Sequence, residues 1–323
     1  MKILVTGGAG FIGSVTSKKL LDKGHNVLVY DSLIKGHRDA VDPRSEFVNG
    51  CLSDKKLLDE IFKKFKPEAV IHFAFFSEVG ESMKYPSKFF HNNLVCGINL
   101  LEVMVENNVK KIIFSSSAGV YASKDFPIKE EDKTIPDHFY GETKLMFEKL
   151  LDWYDKLYGI KFTALRYFNA TGAWGNLGER HDIETHLIPL IIFAALGKRE
   201  DIKIFGTDYG TPDGTPIRDY IDVKDLAEVH TLALEKLDNE SKIYNVGTGE
   251  GLSVKQVINA VKDISGHYFK ITETNRRAGD PAVLVADPSK IKRELGWYPK
   301  TDFKQGLKET FEYFKNLKNQ NVC

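Results

Sequence analysis

Cysteine is scarce in this chain: three in 323 residues, at Cys51, Cys96 and Cys323, far apart and odd in number. Such a set excludes a disulfide-built scaffold and offers no zinc spacing, so no metal site is expected. Reduced thiols in the cytoplasm are the simplest reading. A charge imbalance is missing too. The 45 Lys and Arg residues are matched by 45 Asp and Glu, so no basic field exists to draw nucleic acid or an anionic membrane. No apolar run reaches spanning length, and the run after Lys2 yields to glycines too soon for a signal peptide. Repeats and low-complexity segments are absent. What remains is ordinary globular material, 42% apolar and 28% charged, long enough for two domains or for one with a substantial extension.

Short apolar runs alternate with helical patterns. Residues 3–5, 27–30, 47–48, 69–74, 112–115 and 163–167 read as buried parallel strands, with helices near 12–23, 57–65, 92–107 and 140–158 between them. That alternation predicts an α/β fold, a doubly wound parallel (Rossmann) sheet with helices on both faces. Past residue 170 the rhythm breaks into a charged loop over 172–184 and a Gly/Pro/Asp-rich stretch over 206–215. Strands at 243–246 and 271–274 then flank a helix at 254–264. We therefore expect a cofactor domain over 1–170 and a smaller substrate domain over 171–323, with a soft boundary because later segments can pack back on the first. The 92–107 helix is apolar around most of its circumference, which means burial on several sides, in the core or against a second subunit.

The strand at the start of the chain runs into Gly7-Gly8-Ala9-Gly10-Phe11-Ile12-Gly13 and then a helix. Glycines at 7, 10 and 13 allow a tight turn and close approach of backbone to a pyrophosphate. The helix N-terminus adds unpaired N–H groups and a positive dipole end. The next strand ends at Asp31, 18 residues after Gly13. A carboxylate there accepts from ribose hydroxyls and repels a 2′-phosphate, favouring NAD over NADP. Lys35 and Arg38 lie nearby as possible partners of such a phosphate.

Tyr140 and Lys144 stand four apart on a predicted helix and so share a face. An ammonium beside a phenol favours the phenolate, drawing its pKa from about 10 toward neutrality, where a general base is most useful. Alone, Tyr-x-x-x-Lys is common on surface helices. Here the strand at 111–115 also delivers Ser115-Ser116-Ser117 to the carboxyl edge of the sheet, 23 residues before Tyr140, where open α/β sheets bind their ligands.

Together, the glycine loop, Asp31, the serine run and Tyr140/Lys144 resemble the extended short-chain dehydrogenase/reductase family. The likeness narrows to its UDP-glucose 4-epimerase branch through Ile71–Ala74, Val79–Ser82, Leu165–Asn169, Ile204–Gly206, Arg218–Tyr220, Arg276–Asp280 and Glu294–Trp297. The related 4,6-dehydratases carry an Asp-Glu pair after the strand-end hydroxyl, needed to eliminate water. Here Ser117 is followed by Ala118-Gly119-Val120-Tyr121.

The resemblance implies interconversion of UDP-glucose and UDP-galactose through transient oxidation at sugar C4. Tyr140 would be the base, Lys144 its partner and a nicotinamide-ribose ligand, and Ser117 a hydrogen bond to the substrate hydroxyl. It implies NAD contacts from Phe11, Ile12, Ser32, Cys51 and Leu52, from Phe73, Ala74, Phe75, Ser77 and Asn92, and from Ser115, Tyr167 and Phe168. Arg218 and Arg277 would grip the diphosphate, unless they serve structural ion pairs with Asp219 or Asp280. Asn169, His186, Leu187, Ile204, Phe205, Tyr220, Asp280 and Leu284 would surround the nucleotide sugar. The resemblance also implies a homodimer.

Several positions depart from that pattern. Cys51 replaces an Asp that contacts adenine, a loss on the order of 1 kcal/mol. Phe75-Phe76 replaces a smaller pair and is expected to crowd the pyrophosphate or close the pocket. Gly119 stands in place of Thr or Ala, which removes a sugar contact, and His138-Phe139 precedes Tyr140 where Pro is usual. Leu284 at the pocket position, or Val283 one residue off, leaves N-acetylhexosamine acceptance open. The alternatives are thus 4-epimerisation of UDP-N-acetylglucosamine or another nucleotide sugar, and an NAD-binding sensor without catalysis.

Overall fold

The computed structural model describes residues 1–122, 127–277 and 280–317; Cys323 and the Ala278–Gly279 step of the second arginine motif lie outside these. The first half runs β1 (Lys2–Thr6), α1 (Phe11–Asp22), β2 (Asn26–Asp31), β3 (Glu46–Asn49), α2 (Lys55–Phe65), β4 (Ala69–His72), α3 (Val79–Lys84), α4 (Pro86–Phe90), α5 (Cys96–Glu106), β5 (Lys111–Ser117), α6 (Phe139–Tyr158) and β6 (Lys161–Tyr167). Runs such as Ile3-Leu4-Val5 and Ala69-Val70-Ile71 are fully buried, as strands covered on both faces require.

The second half adds β7 (Asn169–Thr171), β8 (Ala173–Trp174), β9 (Leu177–Gly178), α7 (Leu187–Ala195), β10 (Asp201–Phe205), β11 (Ile217–Asp222), α8 (Val223–Lys236) and β12 (Lys242–Val246). The chain closes with β13 (Gly251–Ser253), α9 (Val254–Ser265), β14 (Lys270–Thr274), β15 (Val283–Leu284), α10 (Ser289–Leu295) and α11 (Phe303–Asn316).

The main sheet has the order β12-β6-β5-β4-β1-β2-β3, and every pair in it is parallel. The expected doubly wound fold is therefore the observed one. On one face α2, α5 and α6 bury Leu58, Phe62, Leu100, Met104, Phe114, Phe147 and Leu151. On the other, α1, α8 and α10 bury Leu20, Leu226, Val229, Ile291 and Trp297. Strand order reverses direction at β1, between β2 and β4, which opens a crevice at the carboxyl ends of these strands.

Three details differ from the sequence expectation. Strand β4 stops at His72, and residues 73–77 leave as an extended loop into the crevice. The helix expected over 92–107 begins with a wide π-turn at His91–Val95 before α5, and its apolar residues Leu94, Leu100, Leu101, Val103 and Met104 are buried within this chain. Strand β12, grouped by sequence with the smaller domain, joins the main sheet beside β6, while β14 pairs β10. Residues 223–246 thus pack on the first half, with α8 against α1. The smaller lobe keeps a separate core of Ile188, Ile192, Phe193, Val257, Ile258, Phe311 and Phe314 from α7, α9 and α11. Strand β11 reaches between the two, pairing β7 at one end and β13 and β15 at the other. Among the described residues no helix is long and apolar enough to cross a membrane.

Candidate active site

A cleft of about 830 Å³ lies between the sheet edge and the smaller lobe. At its floor Gly7 has φ +73°, and a Cβ there would lie 2.6 Å from the Ala74 nitrogen; a Cβ on Gly13 would lie 2.2 Å from the Gly7 carbonyl oxygen. Only glycine permits that approach of β1, the loop after β4 and the start of α1. Helix α1 has Gly10 as its N-cap with no side-chain capping bond, so its first N–H groups point into the cleft without partners of their own.

Asp31 lines the same floor and is buried. Its Oδ2 accepts from the Ala9 amide at 3.0 Å and its Oδ1 from the Leu33 amide at 2.8 Å, so it shapes the glycine loop as well as facing the crevice. Burial raises its pKa, with those two amides opposing. Lys35 is held by Glu78 at 2.6 Å, and Arg38 lies over the Phe47 ring at 4.4 Å. Both cations near Asp31 are thereby engaged within the protein.

The serine run ends β5 and the Tyr140 helix, α6, crosses it. Gly141 allows the crossing, since a Cβ there would sit 2.1 Å from the Gly119 carbonyl oxygen. The Tyr140 amide donates to Ser82 Oγ at 3.1 Å. Lys144 is buried and donates to the Ser115 carbonyl at 2.5 Å, with its ammonium 4.1 Å from the Phe75 ring centre and 5.7 Å from that of Tyr140. The Ser115 hydroxyl is hydrogen-bonded to the Tyr167 hydroxyl.

Burial dominates the electrostatics of the expected pair. Burial pushes the Tyr140 phenol up to about 12, with Ser117 hydrogen bonding the opposing influence. Burial also pulls Lys144 down to about 7, and Glu148 raises it. Burial is the leading influence on both groups, because low dielectric penalises each charged form. Lys144 acts first as a buried donor anchored on β5.

Behind this pair lies a support that the sequence did not signal. On α6, Glu148 accepts from Ser116 Oγ at 2.5 Å and forms a two-pronged pair with Arg166 at 2.9 and 2.5 Å. Arg166 also donates to the Tyr121 hydroxyl at 2.8 Å. The serine strand and α6 are thereby bound in a buried, paired network. Asn93 carries no signal in the sequence either. Its side chain accepts from the Phe76 amide (2.9 Å) and donates to the Phe76 carbonyl (3.1 Å) and Thr143 Oγ1 (3.0 Å), fixing the 73–77 loop to α6.

Phe75 turns inward, 5.1 to 5.3 Å from the rings of His72, Phe114 and Phe147, and covers Lys144. Phe76 packs on Phe89 at 5.8 Å. Both residues line the cleft, while their rings pack on β4, β5 and α6 (Phe75) and on α4 (Phe76). Cys51 lines the cleft, and its carbonyl accepts from the Tyr30 hydroxyl at 2.8 Å.

Across the cleft stand the residues assigned to the nucleotide sugar. Asn169, His186, Leu187, Phe205, Arg218, Tyr220, Arg277, Asp280 and Leu284 all line it. Ile204 does not: it is buried in the small-lobe core while its neighbour Phe205 faces the cleft, as strand alternation demands. Arg218 donates to Asp280, the ion pair weighed from sequence, and to the Ile217 carbonyl at 2.7 Å. Arg277 stacks over Phe205 at 3.9 Å. Asp219 instead organises loops, accepting from Thr248, Gly249 and Ala286 amides at 2.8 to 3.2 Å.

No metal spacing is visible in the sequence, yet the fold gathers Glu179, His181, Glu184 and His186 with ligand atoms within 4.8 Å of one another. Glu179 lies 3.2 Å from His181 and 2.6 Å from His186. Glu179 is held well below the usual carboxylate range, at about 2, by His186 and His181 against burial, and His186 is raised chiefly by Glu179. A hydrogen-bonded ionic cluster accounts for these distances.

A glycine-loop floor beside the half-buried Tyr140 and Ser117 and the buried Lys144 is the arrangement of a short-chain dehydrogenase/reductase-type site. The chain belongs to the NAD dependent epimerase/dehydratase family, whose pattern matches residues 3–247. It is 48% identical over 94% of its length to the UDP-glucose 4-epimerase of Lacticaseibacillus casei, covering 93% of that protein. A UDP-glucose 4-epimerase from Brucella ovis solved with NAD superposes with a TM-score of 0.92 at 42% identity, covering 96% of each chain. A UDP-Glc/GlcNAc 4-epimerase from Campylobacter jejuni superposes at 0.86 and 41% identity, covering 98% of this chain and 99% of that one.

Proposed function

We propose that the protein is an NAD-dependent 4-epimerase that interconverts UDP-glucose and UDP-galactose. The observation that carries this reading is one cleft holding Tyr140, Ser117 and Lys144 on its sheet side and Arg218 and Arg277 on its small-lobe side. The glycine loop, the uncapped start of α1 and Asp31 fit a dinucleotide, with the adenosine end toward Asp31, Ser32 and Cys51 and the nicotinamide end toward Ser117, Tyr140 and Tyr167.

Bound NAD supplies the hydride acceptor and donor at sugar C4 and, when oxidised, a positive charge beside the phenol. Tyr140 takes the 4-hydroxyl proton at its phenolic oxygen and later returns it to the opposite configuration. Ser117 holds the same hydroxyl. Lys144, fixed to the Ser115 carbonyl, orients the nicotinamide ribose and stabilises the phenolate. Arg218 and Arg277 hold the diphosphate through planar donors, which leaves the hexose free to turn between the two hydride transfers. Asn169, His186, Leu187, Phe205, Tyr220, Asp280 and Leu284 frame the nucleotide and sugar.

Leu284, which lines the cleft while Val283 does not, together with the likeness to the Campylobacter jejuni enzyme, keeps UDP-N-acetylglucosamine as the second substrate to measure. A coupled assay on the NAD-loaded protein with UDP-galactose, UDP-glucose and UDP-N-acetylglucosamine tests the proposal. Turnover of UDP-galactose is expected. Bound NAD with no turnover of any UDP-hexose would overturn it in favour of a non-catalytic NAD-binding role.

The working form we infer is a homodimer. Trp153, Leu157 and Tyr158 on α6 are exposed, as are Val79, Met83, Tyr85, Phe90 and Val95 on the segments packed beside it. A second copy is the occupant that fits an apolar surface of this kind on a helix carrying the reactive group. Cys51 and Cys96 are unpaired thiols, which suits the reducing cytoplasm.

A further inference from the structure

Two departures from the family pattern, Gly119 and His138, meet in space beside the reacting group. A Cβ on Gly119 would lie 2.9 Å from His138 Cε1, 3.1 Å from His138 Nε2 and 3.3 Å from Ser117 Oγ. The imidazole therefore occupies the volume that any side chain at 119 would need. Its Nδ1 accepts the Gly141 N–H at 2.9 Å and so caps α6. That bond fixes the ring and, in neutral imidazole, places the proton on Nε2. The ring lies nearly parallel to Tyr140, 16° between planes and 5.8 Å between centres. Both His138 and Gly119 line the cleft, and among the described residues the ring's hydrogen bond is the one at Nδ1, which leaves Nε2 without a partner. Burial lowers the pKa of this histidine, which keeps the ring neutral and the donor in place near pH 7.

We propose that His138 is a sugar-recognition residue whose Nε2–H donates to a hexose oxygen adjacent to the one gripped by Ser117 and Tyr140. The proposal rests on the cleft being a UDP-hexose site, as set out above. It replaces the expected loss of a contact at Gly119: the glycine makes room for a longer donor arriving from the N-cap of α6. One side chain then does two separable things, since Nδ1 starts the helix that carries Tyr140 while Nε2 reads the sugar. A site that supplies a fixed donor discriminates against an analogue lacking the acceptor, because the donor is then buried without a partner.

The two nitrogens can be separated by amide substitutions. His138→Asn places its amide near the Nδ1 position, retaining a cap while withdrawing the donor from the sugar. His138→Gln places its amide near Nε2 and gives up the cap. Affinities of the NAD-loaded protein for UDP and for UDP-glucose are measured by calorimetry, alongside thermal midpoints and kcat and KM for UDP-galactose. For His138→Asn the expected result is an unchanged midpoint, unchanged UDP affinity and a fall of about five- to tenfold in UDP-glucose affinity, the worth of one hydrogen bond. For His138→Gln the expected result is a lower midpoint with the preference for UDP-glucose over UDP preserved. An unchanged UDP-glucose to UDP ratio in His138→Asn overturns the proposal, as does loss of that ratio in His138→Gln with the fold intact. If His138→Asn does not fold, the ratio in His138→Gln decides alone. Wild-type protein that binds UDP-glucose without turning it over would refute the epimerase reading while leaving this binding comparison readable.

Discussion

Tyr140 and Lys144 show how far a four-residue spacing can be trusted. The spacing placed both on one face of a helix, and the fold keeps them there. Their charge states were not legible, because burial, which only the fold supplies, raises the phenol and lowers the amine. Tyr140→Phe removes the only proton carrier assigned to the 4-hydroxyl and leaves the ring's packing intact. Turnover of UDP-galactose is expected to fall by about 10²–10⁴-fold, with UDP and NAD binding retained. A variant working at the wild-type rate would show that another group moves the proton. Specificity residues were readable in part. Phe205 and Leu284 reach the cleft, whereas Ile204 is turned into the core by the period-two alternation of β10.

At the scale of elements, the parallel strands were legible because buried β-branched runs say so directly. Their connections were not. Asn93 looks like a polar interruption in an apolar helix, yet in the π-turn it ties the 73–77 loop to Thr143 on α6. Asn93→Ala strips partners from the Phe76 amide and carbonyl and from Thr143. Each buried group left unpaired costs about 1–3 kcal/mol, so a loss of about 2–4 kcal/mol in unfolding free energy is expected from a urea titration. An unchanged midpoint would mean that the clamp is not holding the loop. The Glu148–Arg166–Tyr121 network has the same origin: its members are 18 and 45 residues from Arg166 in sequence, and no local periodicity couples them.

For the whole molecule, Asp222 marks where the halves of the chain meet. It caps α8, accepting from the Lys224 amide at 2.8 Å, while Oδ2 is buried without a partner. A Cβ on either Gly172 or Gly306 would lie 2.5 Å from that oxygen. Burial raises this carboxyl from 3.8 to about 6. Because the folded state holds the proton more tightly, the contribution of Asp222 is fully present below about pH 4 and is lost as pH rises through about 6. The two-unit difference corresponds to about 3 kcal/mol. Asp222→Asn keeps the capping oxygen and is expected to flatten the pH dependence of stability between about 4 and 6 relative to wild type. Parallel wild-type and variant curves across that window would exclude the assignment. Assembly belongs to the same scale. Leu157, 64% exposed on α6, should separate a dimer into monomers when changed to Arg, read as mass by light scattering. A wild-type monomer, or a variant that stays dimeric, would remove this face from the interface.

The sequence by itself determined the parallel sheet, the glycine loop, Asp31 and the Tyr140–Lys144 face, because each is written in local periodicity or in a glycine that only one backbone path explains. Tertiary structure alone decided the return of β12 to the sheet, the burial that sets Tyr140 and Lys144 apart, the turn of Phe75 over Lys144 and the meeting of His138 with Gly119. Those depend on contacts between residues distant in the chain, and on a dielectric that exists only once the surrounding side chains are packed.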